Sequence, residues 1–304
     1  MVRNKILTVM ALAGVFSLVA GLSCLNRKNA DPPVFDSGKA FAYLEHQVAF
    51  GPRVPGTKAH KNASRWLVSM LRQQTSHVTV QQFRGVFGGF EVDMENVLAS
   101  FYPDKKERVL LCAHWDSRHH ADKDPDSTNW TQPVPGANDG ASGVAVLLEI
   151  ASGLKEAEPP VGVDIVFFDG EDGGGYGEND TWLLGSRHFA RVMPLSYHPK
   201  YALLLDMIGD RDLSLSRDIN SIDSAPHLWE RIVGHCKDLD IALSSDTTMV
   251  LDDHIPLIQR GIHSVDLIDF EFTFWHTVSD TPDKCSSESL GKIGELVLRI
   301  LYEE

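Results

Sequence analysis

A short apolar segment that ends in three carboxylates constrains the fold more than any other feature. Val166–Phe168 carries no polar residue on either face, which predicts a strand buried on both sides by helices. The segment then runs into Asp169, Gly170, Glu171 and Asp172. Open α/β sheets carry their ligand sites at such C-terminal strand ends. Taken alone, the acid pair is more typical of a solvated loop, so a ligand site here needs support from the rest of the chain.

The length, composition and charge favour one large domain that holds a cation. The 304 residues are 43% hydrophobic, enough to bury an extensive core. No Pro/Ser-rich linker and no internal repeat divides them. The net charge of −14 disfavours nucleic acid and an anionic membrane surface as partners. We therefore predict a single domain over residues 37–304, with part of its acidity used to bind a cation.

Residues 1–24 have the pattern of a targeting leader. Arg3 and Lys5 precede an apolar run from Ile6 to Leu22. Three forms stay open: a lipoprotein acylated at Cys24 and so tethered to a membrane, a secreted or periplasmic protein, and an uncleaved anchor. All three predict export, and residues 25–36 are expected to form a tether.

Strands and helices alternate along the remaining chain. Apolar or alternating patterns predict strands over residues 78–83, 96–101, 109–113, 163–169, 202–205, 213–215 and 263–268. Helical patterns cover residues 38–50, 59–71, 144–150, 185–193 and 225–239, a short helix starting at 252–254, and 286–301. This order predicts an α/β fold with a central mixed, largely parallel sheet flanked by helices. The polar loop over residues 118–135 is long enough to be functional.

Metal-type ligands follow three of the predicted strands. His114 follows the third strand, Glu171 and Asp172 follow the fourth, and Asp206 follows the fifth. The C-terminal ends of parallel strands meet at one edge of a sheet. We therefore expect these side chains to lie close together.

Two further candidates come from a helix start and from a loop. Asp139 lies in Gly136–Gly143, just before an apolar helix, where an N-cap is the simpler interpretation of an isolated acid. His276 lies in an aromatic loop over residues 270–277. Carboxylates and imidazoles without usable thiolates suit zinc, or else manganese or cobalt.

Other reaction chemistries fit the sequence poorly. Gly140–Val144 lacks the final glycine of a nucleophile elbow. The glycines after Asp172 do not complete a dinucleotide-binding fingerprint. Cys112 falls within a predicted strand and is expected in the core. Metal-assisted acyl chemistry is therefore the favoured class.

These motifs, and their order along the chain, resemble those of the M28 zinc peptidase superfamily. The matching segments are His114–Ser117, Gly136–Gly143, Asp169–Asp172, Leu205–Met207 and Trp275–Thr277. Four segments are most similar to glutaminyl-peptide cyclotransferases, or glutaminyl cyclases, particularly bacterial ones: Phe50–Thr57, Gly185–His188, Asp252–Pro256 and Phe274–His276. The resemblance covers nearly all of the chain from about residue 36. It implies an α/β sandwich of the zinc aminopeptidase type.

The resemblance also implies the metal ligands. Asp139, Asp172 and His276 match the zinc ligands of the family. In aminopeptidases of the superfamily, the positions of His114 and Asp206 bind a second zinc, with Asp139 bridging. Cyclases keep both positions but typically use one metal. We therefore expect one zinc ion in a cyclase and two in an aminopeptidase.

Catalytic roles follow from the same resemblance. Glu171 matches the proton-shuttling glutamate, whereas Asp206 and Asp252 match two acids of a hydrogen-bonded network beside the metal. Neighbouring side chains at a strand end point in different directions, so Asp172 can face the metal while Glu171 faces the substrate.

Aromatic residues are expected to line the substrate pocket. Trp275 matches a pocket-lining indole of the family, and Phe272 and Phe274 belong to the same loop, although core packing would explain them equally well. A second tryptophan of the animal enzymes corresponds to Gly177, and Trp182 is the candidate to replace it.

The implied activity is conversion of N-terminal glutamine in peptides or proteins to pyroglutamate with release of ammonia, by a monomer. The alternative is a dizinc aminopeptidase, in which Glu171 would deprotonate a metal-bound water. Peptidase relatives more often have serine and tyrosine where this chain has Asp252 and Trp275, which favours the cyclase. A non-enzymatic metal-binding or receptor-like domain would require a missing catalytic residue, and none is missing.

Overall fold

In a computed structural model, which describes residues 31–175, 177 and 179–304, helices and strands alternate along the chain. The predicted leader, residues 1–24, and residues 25–30 of the predicted tether lie outside the described residues. Residues 31–304 form one compact unit. None of the helices in this described part is long and apolar enough to span a membrane.

The element bounds extend the predicted ones at several places. The α-helices are α1 Ser37–Ala49, α2 Lys58–Gln74, α3 Ala141–Glu156, α4 Leu184–Val192, α5 Ile219–Ser224, α6 Pro226–Asp238, α7 His254–Gln259 and α8 Ser287–Tyr302. The strands are β1 Val78–Phe87, β2 Phe90–Phe101, β3 Arg108–His114, β4 Gly162–Phe168, β5 Ala202–Asp206, β6 Ser214–Asp218, β7 Ala242–Thr248 and β8 Ser264–Ile268.

Side-chain caps fix the start of several helices. Asp36 accepts a hydrogen bond from the Lys39 amide at the start of α1 (2.9 Å). Thr57 does the same for α2 through the His60 amide (3.2 Å). Such caps satisfy amides that have no partner within the helix.

A six-stranded mixed sheet organises the molecule in the order β1-β2-β4-β3-β5-β8. Strands β4, β3, β5 and β8 are parallel, whereas β1 and β2 are antiparallel to their neighbours. His114 pairs with Phe168, and Asp206 pairs with Ile268, so these strand ends share one edge of the sheet. The predicted α/β fold with a mixed, largely parallel sheet is confirmed.

Two apolar cores cover the faces of the sheet. Leu111 and Ala113 of β3 enter the larger core, which contains residues of α1, α3 and α8. Leu110 and Cys112 enter the second core, which contains residues of α4 and α7. Side chains alternate between faces along a strand, so β3 is buried on both sides as its sequence predicts.

The sequence prediction missed β7 and α5. Strand β7 pairs with β6 in a separate two-stranded sheet. Its sequence is polar and its residues are exposed or half-buried, so no hydrophobic pattern marks it. Helix α5 is short, and Asp218 caps it through the Ser221 amide (2.7 Å).

Candidate metal centre and cavity

Asp139, Asp172 and His276, here called the metal group, are buried with their ligand atoms within 4.8 Å of one another. His276 Nε2 lies 3.1 Å from Asp172 Oδ1 and 3.7 Å from Asp139 Oδ2. Asp139 Oδ2 and Asp172 Oδ2 are buried without a hydrogen-bond partner in the described part of the chain. Two carboxylates and one imidazole are a ligand set that zinc accepts, so these residues fit the ion that the sequence predicts.

His114, Asp139 and Asp206 form a second buried group of potential ligands. His114 Nε2 lies 3.0 Å from Asp139 Oδ1 and 3.1 Å from Asp206 Oδ1. Asp139 belongs to both groups, and its two oxygens face different histidines. This arrangement suits a carboxylate that bridges two sites.

Asp139 is positioned by the loop before α3 rather than by a strand. The amides of Asn138 and Asp139 donate to the two carboxylate oxygens of Asp280 (2.8 and 3.1 Å). Gly140 has a φ of +95°, and any side chain there would collide with the carbonyl of Asp116. The glycine of this motif is therefore required by close backbone packing.

Asp116 holds the loop that carries Glu171 and Asp172. Its carboxylate oxygens accept hydrogen bonds from the Glu171 amide (3.1 Å) and the Asp172 amide (3.2 Å). The sequence prediction did not single out Asp116, although it lies in the His114–Ser117 motif. Its position two residues after His114 was the available signal.

Two buried arginines, also missed from sequence, hold the loops around the metal group. Arg118 Nη1 lies 3.2 Å from Asp172 Oδ1, and its guanidinium lies 4.7 Å from the Trp182 ring centre. Arg53 donates to the carbonyls of Pro135 (2.9 Å) and Gly136 (2.5 Å). The loop over residues 118–135, predicted to be functional, therefore supplies Arg118 directly to a metal-type ligand.

A cavity of about 260 Å³ opens beside the metal group. All three metal-group residues line it, together with three predicted catalytic acids: Glu171, Asp206 and Asp252. The remaining lining residues are Trp182, Met207, Met249, Val250, Leu251, Ile268, Phe270 and Trp275. The cavity lining thus combines polar groups with apolar side chains, as is typical of small-ligand sites.

Trp182 and Trp275 flank His276 in this cavity. The ring centres of Trp275 and His276 are 4.0 Å apart, and Trp182 is stacked on His276 at 6.1 Å. Both tryptophans therefore occupy the predicted pocket position and also restrict the orientation of the imidazole.

Phe272 and Phe274 do not line the cavity, in contrast to the sequence prediction. Phe272 is only 4% exposed and packs in a small core with Met207 and Val250. Phe274 packs edge-on against Phe272 at 5.7 Å. Phe270 lines the cavity in their place. The packing of this loop therefore supports the alternative that Phe272 and Phe274 belong to the core.

Glu171 has an environment suited to proton transfer. Burial raises the pKa of its carboxyl well above the usual range, His114 opposes this, and the charges of Asp172 and Asp252 raise the pKa further. A cation at the metal group would shift the pKa in the opposite direction. These opposing influences can bring a glutamate towards the working pH of a general base.

Asp252, His254 and Asp266, here called the acid group, lie behind the cavity with their ligand atoms within 4.8 Å of one another. Only Asp252 lines the cavity. His254 Nδ1 lies 3.7 Å from Asp266 Oδ2, and His254 Nε2 lies 3.1 Å from Asp218 Oδ2. Burial, with the charge of Asp206, raises the pKa of Asp252 to about 7. The sequence prediction identified Asp252 but not Asp266, which lies inside strand β8.

Comparisons with known proteins show the family and the fold. Residues 96–301 match the profile of peptidase family M28. A glutaminyl cyclase structure from Tannerella forsythia is 36% identical with a TM-score of 0.84, covering 90% of this chain and 100% of that chain. A leucine aminopeptidase precursor from Bacteroides thetaiotaomicron is 33% identical with a TM-score of 0.87, covering 90% of this chain and 99% of that chain. A glutaminyl-peptide cyclotransferase-like protein from Bos taurus is 26% identical over an alignment of 282 positions, which covers 83% of this chain and 72% of that protein.

Proposed function

The chain belongs to peptidase family M28, and within it we propose that it is a zinc-dependent glutaminyl-peptide cyclotransferase. It would act on peptides or proteins with N-terminal glutamine and form pyroglutamate and ammonia. The observation that carries the proposal is the single cavity in which the metal group, Glu171 and Asp252 face the same space. The similarity of the chain to solved bacterial glutaminyl cyclases, at 36% and 33% identity, supports the same activity.

The metal group would hold one zinc ion through Asp139, Asp172 and His276. When bound, zinc supplies Lewis acidity that polarises an amide carbonyl. The charge of Arg118 beside Asp172 and the hydrogen bonds that the Glu171 and Asp172 amides donate to Asp116 keep these ligands in place.

Glu171 would move the proton that cyclisation requires. In this reaction, the substrate's α-amine nitrogen bonds to its side-chain carbonyl carbon, and the bond from that carbon to the amide nitrogen breaks. Glu171 would accept the proton lost by the amine and return it to the nitrogen that leaves as ammonia. No water is consumed, so one carboxylate can complete the cycle.

Asp206 and Asp252 would orient the reacting groups by hydrogen bonds. Asp206 is held by His114 Nε2 at 3.1 Å. Burial raises the pKa of Asp252 to about 7, so a fraction of the carboxyl is protonated at neutral pH, and a protonated carboxyl can donate to an oxyanion or a leaving group.

Trp182, Trp275 and Phe270 would keep water from the reacting amide. Their rings line the cavity beside His276. Exclusion of water matters because hydrolysis of the side-chain amide competes with cyclisation.

A dizinc aminopeptidase is the second candidate function. The observation that favours it is the group of His114, Asp139 and Asp206, in which Asp139 faces both histidines. In that case Glu171 would deprotonate a water molecule and the product would be a shortened peptide.

Two substrates tested side by side separate these functions. The purified zinc-loaded protein should release ammonia from a peptide with N-terminal glutamine and leave a leucine anilide intact. Cleavage of the anilide without ammonia release from the glutamine peptide would reject the cyclase. The metal content serves as a second readout, since about two tightly bound zinc ions per chain would favour the peptidase.

The location and assembly of the protein are further parts of the proposal. Arg3, Lys5 and the apolar run Ile6–Leu22 support export to the periplasm or beyond, with Cys24 as the residue for a lipid tether. We expect a monomer. Fractionation of cells that express the wild type and Cys24→Ala would test the tether, because only the wild type should sediment with membranes.

A further inference from the structure

A second cavity, of about 490 Å³, lies on the sheet face covered by α4 and α7. It shares no lining residue with the catalytic cavity. Four arginines line it, and we call it the arginine groove: Arg84, Arg187, Arg191 and Arg260. His188 also lines it, and none of the lining residues in the described part of the chain is a carboxylate. This composition is unexpected on a protein with a net charge of −14.

Arg191 and Arg260 present charges that no carboxylate in the described part of the chain neutralises. Arg191 Nη2 lies 3.0 Å from His188 Nδ1, and Arg260 Nε donates to the carbonyl of Ala190 (3.2 Å). Both contacts orient the guanidinium groups without cancelling their charge. Arg84 is paired with Asp93 at 3.2 Å, but both side chains are largely exposed and such pairs contribute little.

His188 responds to this positive field. Burial lowers the pKa of its imidazole, and the charge of Arg191 lowers it further. His188 is therefore neutral at pH 7, and its ring is stacked on Phe83 at 4.8 Å. The groove thus combines a stacked, neutral imidazole with cationic guanidinium groups.

We infer that the arginine groove binds an oxyanion of the phosphate or sulfate type, with Arg191 and Arg260 as its main contacts. Guanidinium groups bind such oxygens in a bidentate manner and keep their charge at all relevant pH values. The volume leaves room for an organic group attached to the anion.

Calorimetric titration of the zinc-loaded full chain with inorganic phosphate tests the inference, with sodium chloride at equal ionic strength as the reference. We expect saturable binding that the double variant Arg191→Gln/Arg260→Gln weakens at least about tenfold, because two bidentate contacts are lost. The matched control is Arg65→Gln/Arg72→Gln, which removes the same charge from exposed positions on α2 and should bind like the wild type. Both variants should keep the wild-type turnover, which shows that they are folded.

Vesicles identify the source of the anion. Sedimentation with phosphatidylglycerol vesicles, but not with phosphatidylcholine vesicles, would assign the groove to a headgroup if the double variant abolishes it. Binding of inorganic phosphate without vesicle binding supports the soluble anion. The single variants Arg191→Gln and Arg260→Gln replace the double variant if that one does not fold. Equal phosphate affinity in the wild type and the groove variants would overturn the inference, as would the absence of both kinds of binding.

Discussion

The metal group and the acid group are chemically alike but differ in their access to the cavity. Each places three carboxylate or imidazole ligand atoms within 4.8 Å in a buried setting. All members of the metal group line the cavity, whereas only Asp252 of the acid group does. The buried Arg118 pairs with Asp172, while Asp266 faces further carboxylates. Access and surrounding charge therefore distinguish a cation site from a site that holds protons.

Asp266 shows why the acid group holds protons. Burial raises the pKa of its carboxyl well above the usual range, and the charges of Asp252 and Asp206 raise it further. An ionised carboxylate in this position would be costly, so a proton shared with its neighbours is the stable state. His254 and Asp266 then support Asp252 from behind, while Asp252 itself lines the cavity.

Glu171 lines the cavity together with members of both groups, and its substitution should have the largest effect. Glu171→Gln removes the proton carrier but no metal ligand, so kcat should fall by about 10²–10⁴ with the zinc content unchanged. Initial rates with a glutamine peptide and metal analysis of the same sample measure both quantities. Glu45→Gln on the exposed face of α1 is the control and should behave like the wild type. Normal turnover in Glu171→Gln would refute the role given to this residue.

The same isosteric change, aspartate to asparagine, should have very different effects on zinc affinity in the two groups. Asp172→Asn removes a charged ligand and should weaken zinc binding by at least about 100-fold, beyond the range seen when only a ligand's supporting partner is lost. Asp266→Asn should retain zinc, because Asp266 does not line the cavity. Competition with a chelator measures both affinities. Equal losses in the two variants would remove the distinction between the groups.

The pH dependence of stability should distinguish Asp266→Asn from the wild type. A raised pKa means that the folded protein keeps a proton that the unfolded chain loses above about pH 4. The free energy of unfolding of the wild type should therefore fall relative to that of the variant as the pH rises from about 4. The difference should change by up to about 1.4 kcal/mol per pH unit until Asp266 ionises in the folded state. Urea unfolding at several pH values measures it, and parallel curves would contradict a buried, protonated Asp266.

Aromatic substitutions should give the smallest effects and separate the cavity wall from the core behind it. Trp275→Ala removes a ring that lines the cavity and should raise KM for a glutamine peptide by about tenfold, the upper range for one aromatic contact. Phe274→Ala changes a residue outside the lining, so its KM should stay within about twofold of the wild type. Steady-state kinetics with one peptide measure both values. A larger increase in KM for Phe274→Ala than for Trp275→Ala would indicate that Phe274 contacts the substrate.

The sequence identifies the strand-end ligands because their positions follow from the topology. His114, Asp172 and Asp206 follow apolar strands, and parallel pairing brings such ends to one edge. Asp139 and His276 are candidates by residue type, and only the resemblance to a family assigns them as ligands, because each belongs to a loop whose path depends on contacts distant in sequence. The Asp280 contacts with the amides of Asn138 and Asp139 are an example.

Residues that act through groups distant in sequence cannot be identified from the sequence alone. Asp266 lies between Val265 and Leu267 in a buried strand, and nothing in that pattern indicates that its neighbours in space are other acids. Arg53 acts only through backbone carbonyls of loops that are distant in sequence. Phe272 and Phe270 differ by two positions in one aromatic loop, and only the packing decides which ring lines the cavity.

The central claim is that Glu171 serves the substrate's own amine rather than a water molecule, and the isotope content of the product tests it most directly. The zinc-loaded protein would be incubated with a glutamine peptide in water enriched in heavy oxygen, and the product would be analysed by mass spectrometry. Cyclisation predicts a pyroglutamyl peptide that has lost ammonia and carries no heavy oxygen. A product that has gained one heavy oxygen atom at each turnover would show that water is the nucleophile and would contradict the proposed function.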